Sequence, residues 1–501
     1  MFWKIMIIAI FFIVTFGIGI YYRKSAHSSS DFMLAGRNVG PWLSAFAYGT
    51  TYFSATVFVG YAGQFGWSFG VSAVWIGIGN ALIGSLLAWM LLGRRTRIMT
   101  KWTNSSTMPN FFEQRYNSRN LKLLSSLIIV IFLVPYSASV YKGLSEIFAQ
   151  TFNIDFIWCI VGMAVLTGAF VIAGGYMGTA VNTFIQGIIM LVGMVLVIIG
   201  VLRVNGGLLG SFEALSKFRS DAMPEFDGVY VSILGTSPLD LLSVAILTSL
   251  GTLGLPQMVS KFYAIKNEKA IRTGTIVSTA FGAIIAGGSY FIGAFARLFW
   301  DKGEPVFDML VPNMISKALP DAMIGLVLLM VLSASISSLA ALALTAGSTF
   351  IVDLVQSVKK VKLEPKKEVF AVKVVCGIFI LVSVVVAIIP NSLITALMGL
   401  SWGALAGAFL GPFVFGLFWK KTTPAACFAS MIFGVGFVTA NQILHFLTPS
   451  MAGTAAMLAS LVIVPVVSLF TRRLDSRYVD KIFACMEEKV VAPAKDVLEE
   501  N

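Results

Sequence analysis

Hydrophobic positions along this chain come in long runs, not at amphipathic helical or alternating strand intervals. Apolar stretches of about 20 residues recur as far as position 471, with short polar connections between them. A run of that length crosses a bilayer as a helix, whereas a barrel strand alternates over about ten residues. In hydrocarbon every backbone polar group needs a protein partner, and a helix supplies them within the segment. The pattern predicts an all-α membrane protein with about thirteen transmembrane helices. They are expected at 3–22, 41–65, 69–93, 122–151, 154–173, 178–203, 238–263, 273–300, 322–356, 369–389, 392–419, 423–446 and 452–471. The first run has one leading Lys4 and no small-residue cleavage site, so it reads as a retained helix and not a signal peptide.

Charge orients these helices. Only 12% of residues are charged and 57% are hydrophobic, against about 25% charged in a soluble domain. The net charge of +12 gathers at Arg23/Lys24/Arg37, Arg94/Arg95/Arg97/Lys101, Lys261/Lys266/Lys269/Arg272, Lys359/Lys360/Lys362/Lys366/Lys367, Lys420/Lys421 and Arg472/Arg473/Arg477. These are alternate connections, the positive-inside pattern, which predicts an N-terminus outside and a C-terminus inside. The partner implied is a lipid bilayer, in a multi-pass protein of the cell (cytoplasmic) membrane, and not nucleic acid. No obligate protein partner is evident. Four scattered cysteines give no disulfide framework, and His27 and His445 give no metal spacing. Apart from Lys142 and Glu146, ionisable residues do not cluster at membrane depth, which argues against an enzyme.

Two helices are interrupted. The second carries Gly49, Gly60 and Gly63; the seventh carries Gly251, Gly254 and Pro256. Glycine eases departure from helical geometry, and proline removes a donor. Lying five apart, the two run in opposite directions and would open two inverted repeats, 41–203 and 238–419. Around them stand an N-terminal helix and loop (1–40), an outside loop (204–237), two C-terminal helices (420–471) and a cytoplasmic tail (472–501). Broken helices at matching positions point to a transporter site near the bilayer midplane.

The ninth helix contains "VLSASISSLAALALTAG" (331–347), with Ser333, Ser335, Ser337, Ser338 and Thr345. Ala334 precedes Ser337 and Ser338 by three and four residues, so the three share a face. Unwinding around Gly49 would free carbonyls of Thr50 and Phe53 to point the same way. Five oxygens without formal charge suit a hard monovalent cation such as Na⁺, while a divalent ion would draw carboxylates. The competing reading is packing, since small residues and serines also bring membrane helices together.

"DFMLAGRNVGPW" (31–42), "TTYFSATVFVGYAG" (50–63), "AGGYMGTAVNTFIQG" (173–187), "GTLGLPQMVSKFYA" (251–264) and "SASISSLAALALTAGSTFIVDL" (333–354) resemble the sodium:solute symporter family. The resemblance implies a LeuT-type five-plus-five inverted-repeat fold with Na⁺ as coupling ion. It puts the main sodium site on the carbonyls of Thr50, Phe53 and Ala334 and the hydroxyls of Ser337 and Ser338. Proline-transporting members have an Asp where Tyr52 stands, and aromatics at Thr248 and Thr252, which argues against proline as the solute. Thr183, beside Asn182, replaces an Asp linked in many members to coupling or a second sodium site. Tyr136 matches a substrate-side tyrosine of the proline branch, and Gln64 a substrate-binding glutamine of sugar transporters.

Lys142 is the most unusual residue. A charge at its depth costs at least ~2.5–3.5 kcal/mol unless paired or hydrated. It would meet a solute carboxylate, stand in for a missing sodium, snorkel outward, or pair with Glu146 at i+4. The whole predicts sodium-coupled symport of a small organic solute, a carboxylate, amino acid or vitamin-like molecule, by alternating access. The alternatives are a proton-coupled symporter of the same fold and a transporter-like sensor or channel.

Overall fold

The computed structural model describes residues 2–22, 34–220, 223–301, 303–389 and 393–487. Among them, ten helices are long and apolar enough to cross a membrane, with Phe156–Val171 as a shorter apolar helix. The expected first helix is α1 (Phe2–Tyr22). The expected helices 154–173 and 178–203 fall in one helical run, α7 (Phe156–Val204). Its two parts meet different neighbours: Gly168 lies by Ile380, whereas Gly193 lies against Met330 and Gly200 against Leu319.

The second expected helix is broken, at a different residue from the one anticipated. α2 (Pro41–Tyr52) starts with proline at its first turn, where a missing N–H costs nothing. It stops at Phe53, which is extended (φ −107°, ψ 113°). The chain restarts when the Ser54 carbonyl accepts from the amides of Val57 (3.0 Å) and Phe58 (3.1 Å), opening α3 (56–69). Gly49, where unwinding was expected, is helical. It is there for packing, because a Cβ on it would come within 2.6 Å of Phe281. At Gly70 (φ +65°) the chain reverses against the Tyr230 carbonyl, in a left-handed geometry and a space that only glycine tolerates. It then enters α4 (74–102), which is wound wider over Asn80–Leu87 and Trp89–Gly93.

The seventh helix breaks where expected. α9 (Pro238–Leu250) gives way to a tight turn, Gly251–Leu253, and α10 (Pro256–Tyr263) follows. Pro256 forces Leu255 into the extended region (φ −82°, ψ 122°). Gly254 passes so close to α15 (Ile394–Phe418) that a Cβ would come within 2.9 Å of the Leu410 amide nitrogen.

The remaining elements are α5 (Met108–Tyr116), α6 (Arg119–Phe152), α8 (Gly207–Ser216), α11 (Glu268–Ala294), α12 (Phe307–Ala318), α13 (Asp321–Ser348), α14 (Pro365–Ile388), α16 (Pro424–Leu444), α17 (Pro449–Phe470) and α18 (Ser476–Phe483). α13 is the central post: 94% of its apolar window is buried, against 33% for the peripheral α14. It is packed by α1, α2, α6, α7 and α14. Part of the expected polar tail is the docked helix α18, held by Asp480 to Lys420 (2.6 Å) and by the Trp102 indole to the Lys481 carbonyl (3.1 Å).

Both broken helices are anchored through Arg37. Its guanidinium donates to the Thr100 hydroxyl (3.1 Å), the Thr100 carbonyl (3.2 Å), the Ser105 carbonyl (2.6 Å) and the Tyr263 carbonyl (3.3 Å). Burial lowers the group to about 10, partly offset by Tyr263, so it stays charged at neutral pH. Beside it the Val39 amide bonds the Ala264 carbonyl at 3.0 Å, and the Lys266 amide returns to Val39 at 3.1 Å. The start of α2 and the end of α10 are thereby fixed together.

Candidate functional site

Where α2 stops, the carbonyls of Thr50 and Thr51 lose the donors that a continuing helix would supply. α13 meets them. The Ser337 hydroxyl lies 3.0 Å from the Thr50 carbonyl and 2.9 Å from the Ala334 carbonyl. The Ser338 hydroxyl lies 3.0 Å from Thr51, 3.1 Å from Ala334 and 3.3 Å from Thr50. Each hydroxyl has one proton, so two protons face three carbonyls. The cluster is fully buried and rich in acceptors, an arrangement that favours a cation. Oxygens this close together can be neighbouring vertices of one coordination shell. Among the described residues, no group of three or more His, Cys, Asp or Glu could hold a metal. The neutral oxygen set therefore fits a monovalent hard ion better than a divalent one.

The structure brings together Thr50, Ala334, Ser337 and Ser338 of the five expected ligands. Phe53 shares with Ala334, Ser54 and Met330 a void of about 10 Å³, near the size of one water. Its carbonyl is not among the oxygens that the two serines touch. Two participants were not anticipated. Thr51 adds a carbonyl, and the Ser335 hydroxyl takes the Ala55 amide at 3.2 Å, holding the break open.

A second polar cluster lies on the other side of α2. The Tyr52 hydroxyl donates to the Thr248 carbonyl at 2.6 Å. The hydroxyls of Thr248 (2.8 Å) and Ser249 (3.0 Å) both donate to Asn80 Oδ1. Thr252 (3.2 Å) and Tyr48 (2.5 Å) donate to the Gly84 carbonyl, in the widened part of α4. Tyr52 stacks on Phe53 (4.3 Å, 22°) and on Trp402 (6.1 Å, 25°), and Tyr136 meets Trp402 edge-on (5.8 Å, 85°). Tyr52, Tyr136, Thr248 and Thr252 are thus brought together in one place. Asn80, Trp402 and Tyr290 join them. Ser54 Oγ, Asn80 Nδ2, Ser85 Oγ, Tyr290 Oη and Trp402 Nε1 are buried without a well-aligned hydrogen-bond partner, although Ser54 and Trp402 face the Tyr136 hydroxyl and Asn80 faces Tyr290. Buried polar atoms are rarely left so, and a polar solute or water would satisfy them. An Asn inside an apolar run was the one signal in the sequence that could have found Asn80.

The other expected residues lie apart. Gln64 accepts from Thr395 and lines a separate cavity of about 350 Å³ with Ser237, Asp240 and Ser450. Asn182 donates to the Thr15 carbonyl of α1 at 3.2 Å. Thr183 donates to Ala180 (2.8 Å) and lines a small cavity that reaches Ser337, Thr345 and Lys261. The two residues are therefore not assembled into one site. Lys142 Nζ stands 3.9 Å from Asp308 Oδ2 of α12, a partner that its own helix could not reveal.

Two interrupted helices, one of them meeting a buried acceptor-rich cluster at its break, define a secondary transporter of the ion-coupled class. The chain belongs to the sodium:solute symporter family, whose sequence model matches residues 32–434. It is 28% identical over 442 residues to a sodium/proline symporter of Staphylococcus aureus (strain bovine RF122 / ET3-1), covering 86% of this chain and 84% of that one. The sodium/proline symporter of strain JH9 matches to the same extent. Among solved structures, the fold is shared with a substrate-bound, outward-open Na⁺-coupled sialic acid symporter (TM-score 0.76, 17% identity, 95% of this chain and 99% of that one). It is also shared with a nucleobase-cation-symport-1 family transporter in a closed conformation (TM-score 0.58, 13% identity, 92% and 99%). The protein is a multi-pass membrane transporter and not an enzyme. Its family implies sodium as the coupling ion and a small molecule as the solute.

Proposed function

We propose that this chain imports a small organic solute with Na⁺ across the cell membrane by alternating access. Sodium binds where α2 breaks against α13, at the carbonyls of Thr50, Thr51 and Ala334 and the hydroxyls of Ser337 and Ser338, with Phe53 closing the shell. The observation that carries this is the pair of serine hydroxyls facing three carbonyls at the break. Cation binding stabilises the break and so orders the adjoining Tyr52–Trp402 cluster, where the solute sits. The two broken helices open inverted repeats, 41–203 and 238–419, within thirteen helices, N-terminus outside and C-terminus inside.

The solute is a carboxylate, amino acid or vitamin-like molecule. Proline is not the expected solute, because Tyr52 stands where the resemblance gives proline-transporting members an Asp, and Thr248 and Thr252 where it gives them aromatics. Here Tyr52 bonds the Thr248 carbonyl and Thr248 bonds Asn80. A thermal-shift screen of purified protein against amino acids, sugars, carboxylates and vitamins, with and without Na⁺, tests the reading. Stabilisation by one class that requires Na⁺ is expected. Equal stabilisation in Na⁺-free buffer, or uptake driven by a pH gradient alone, would overturn sodium coupling.

A further inference from the structure

Lys142 and Asp308 come from distant parts of the chain and meet under α12. Their side chains are only 16% and 9% exposed, yet Nζ and Oδ2 are 3.9 Å apart, at the limit of an ion pair. Asp308 Oδ1 is buried with no hydrogen-bond partner. The carboxylate is thus taken out of water with weak compensation. Its burial raises it to about 6, although Lys142 and the Ile394 backbone pull the other way and Glu146 adds a smaller upward push. α6 contributes Lys142 and Glu146 to its surroundings, and α15 contributes the Ile394 backbone.

Lys142 shares α6 with Tyr136 of the Tyr52–Trp402 cluster. The next residue, Gly143, packs against Ala55 at the break of helix two, where a Cβ would come within 3.3 Å of the Ala55 backbone. One turn earlier, Ser139 meets Thr56 at 3.2 Å. Tyr136, six residues before Lys142, touches Trp402; six helical residues rise about 9 Å. α12 packs beside this helix, its Phe307 carbonyl close against Gly63 of α3.

We infer that Lys142 is an outer recognition point for a solute carboxylate, and that Asp308 is the resident carboxylate which the solute displaces. The inference rests on the symport reading only for the direction of travel. An arriving carboxylate takes over the ammonium, Asp308 leaves with α12, and the solute passes on to the Tyr52–Trp402 cluster. A neutral solute of the same shape cannot make the exchange. Protonating Asp308 removes the competitor, so carboxylates bind more tightly as the pH falls through about 6.

The test uses purified full-length protein in Na⁺ buffer and isothermal titration. Its probes are C2–C6 monocarboxylates, each paired with its primary amide. At pH 7.5, Asp308→Asn should bind carboxylates at least tenfold more tightly than the unmodified protein, with amides unchanged. Lys142→Gln should lose the preference for carboxylate over amide. In the unmodified protein carboxylate affinity should rise severalfold between pH 7.5 and 5.5, an arm that needs no variant to fold. The inference is overturned by a carboxylate preference that survives in Lys142→Gln, by a gain below threefold in Asp308→Asn, by a flat pH dependence, or by no carboxylate binding at all. Na⁺ binding is titrated in the same samples. Its absence from the unmodified protein would count against sodium coupling and leave the carboxylate exchange to be judged on its own arms.

Discussion

Ser338 and Thr51 meet across two helices, the hydroxyl of one 3.0 Å from the carbonyl of the other. The Thr51 hydroxyl is turned away to the Ala47 carbonyl at 2.7 Å, so it is the Thr51 backbone that Ser338 meets. The contact exists because α2 stops at Phe53 and leaves the Thr51 carbonyl without its helical donor. The same break exposes the Thr50 carbonyl to Ser337. Whatever satisfies these carbonyls also holds the helix broken, so under the proposed sodium reading ion binding and the shape of α2 are one equilibrium.

Changing Ser337 or Ser338 to Ala removes a proposed ion ligand and leaves buried carbonyls unmatched, a loss of about 1–3 kcal/mol. The half-saturating Na⁺ concentration should rise roughly fivefold to a hundredfold. Solute affinity at saturating Na⁺ should change much less. Na⁺ titrations of uptake check this, and an unchanged Na⁺ dependence in both variants would refute the site.

Much of the proposed ion site was legible in the sequence, because helical periodicity alone puts Ser337 and Ser338 on the face of Ala334. The seventh-helix break was legible too, since Pro256 cannot continue a helix. Gly49 was ambiguous: glycine serves both unwinding and close approach, and only the Phe281 ring decides between them. Asn80, Trp402 and Tyr290 come from separate helices. Hydropathy shows that such helices exist but not which of them touch. The same limit hid Asp308, since Lys142 meets it from more than 160 residues away in the chain.

Two glycines mark a backbone crossing that admits no side chain. A Cβ on Gly66 would come within 2.1 Å of the Gly293 carbonyl carbon, and one on Gly293 within 2.0 Å of the Ala62 oxygen. Gly66→Ala or Gly293→Ala should force α3 from α11, destabilising the protein by about 1–3 kcal/mol or more. Gly287, on the same α11, has nothing within 4 Å of its Cβ position. Gly287→Ala should be neutral or stabilise by up to about 1 kcal/mol through helix propensity. Thermal unfolding in detergent compares the three variants, and equal effects would mean that the crossing is not close-packed.

Asp308 should also register in stability against pH. Burial pushes the Asp308 carboxyl up to about 6 in the folded protein, above its ordinary value of 3.8. Its contribution is therefore fully present below 3.8 and is lost as pH rises through about 6. Relative to Asp308→Asn, the unmodified protein should gain thermal stability as pH is lowered from 7.5 to 4.5. Unfolding temperatures of both, measured at several pH values in that window, give the difference directly. A difference that is constant across the window would show that the carboxylate is not strained by burial.

The last prediction concerns stoichiometry. Thr183, which the family resemblance sets against an Asp of many members, turns its hydroxyl to Ala180, while Asn182 is engaged with Thr15 of α1. With no carboxylate supplied at that position, a single cluster at Ser337 and Ser338 should move one Na⁺ per solute. A charge crossing 100 mV contributes about 2.3 kcal/mol, and a tenfold Na⁺ gradient about 1.4 kcal/mol more. Together these support roughly 500-fold accumulation of a zwitterion. A monoanion moving with one Na⁺ carries no net charge, so only the gradient drives it, and accumulation stops near tenfold. Reconstituted vesicles separate the cases: a zwitterion gives current, a monoanion gives uptake without current, and both give a Hill coefficient for Na⁺ near one. Two Na⁺ counted per solute by isotope flux, with a Hill coefficient approaching two, would mean that neutral oxygens near Thr183 build a second ion site without the carboxylate.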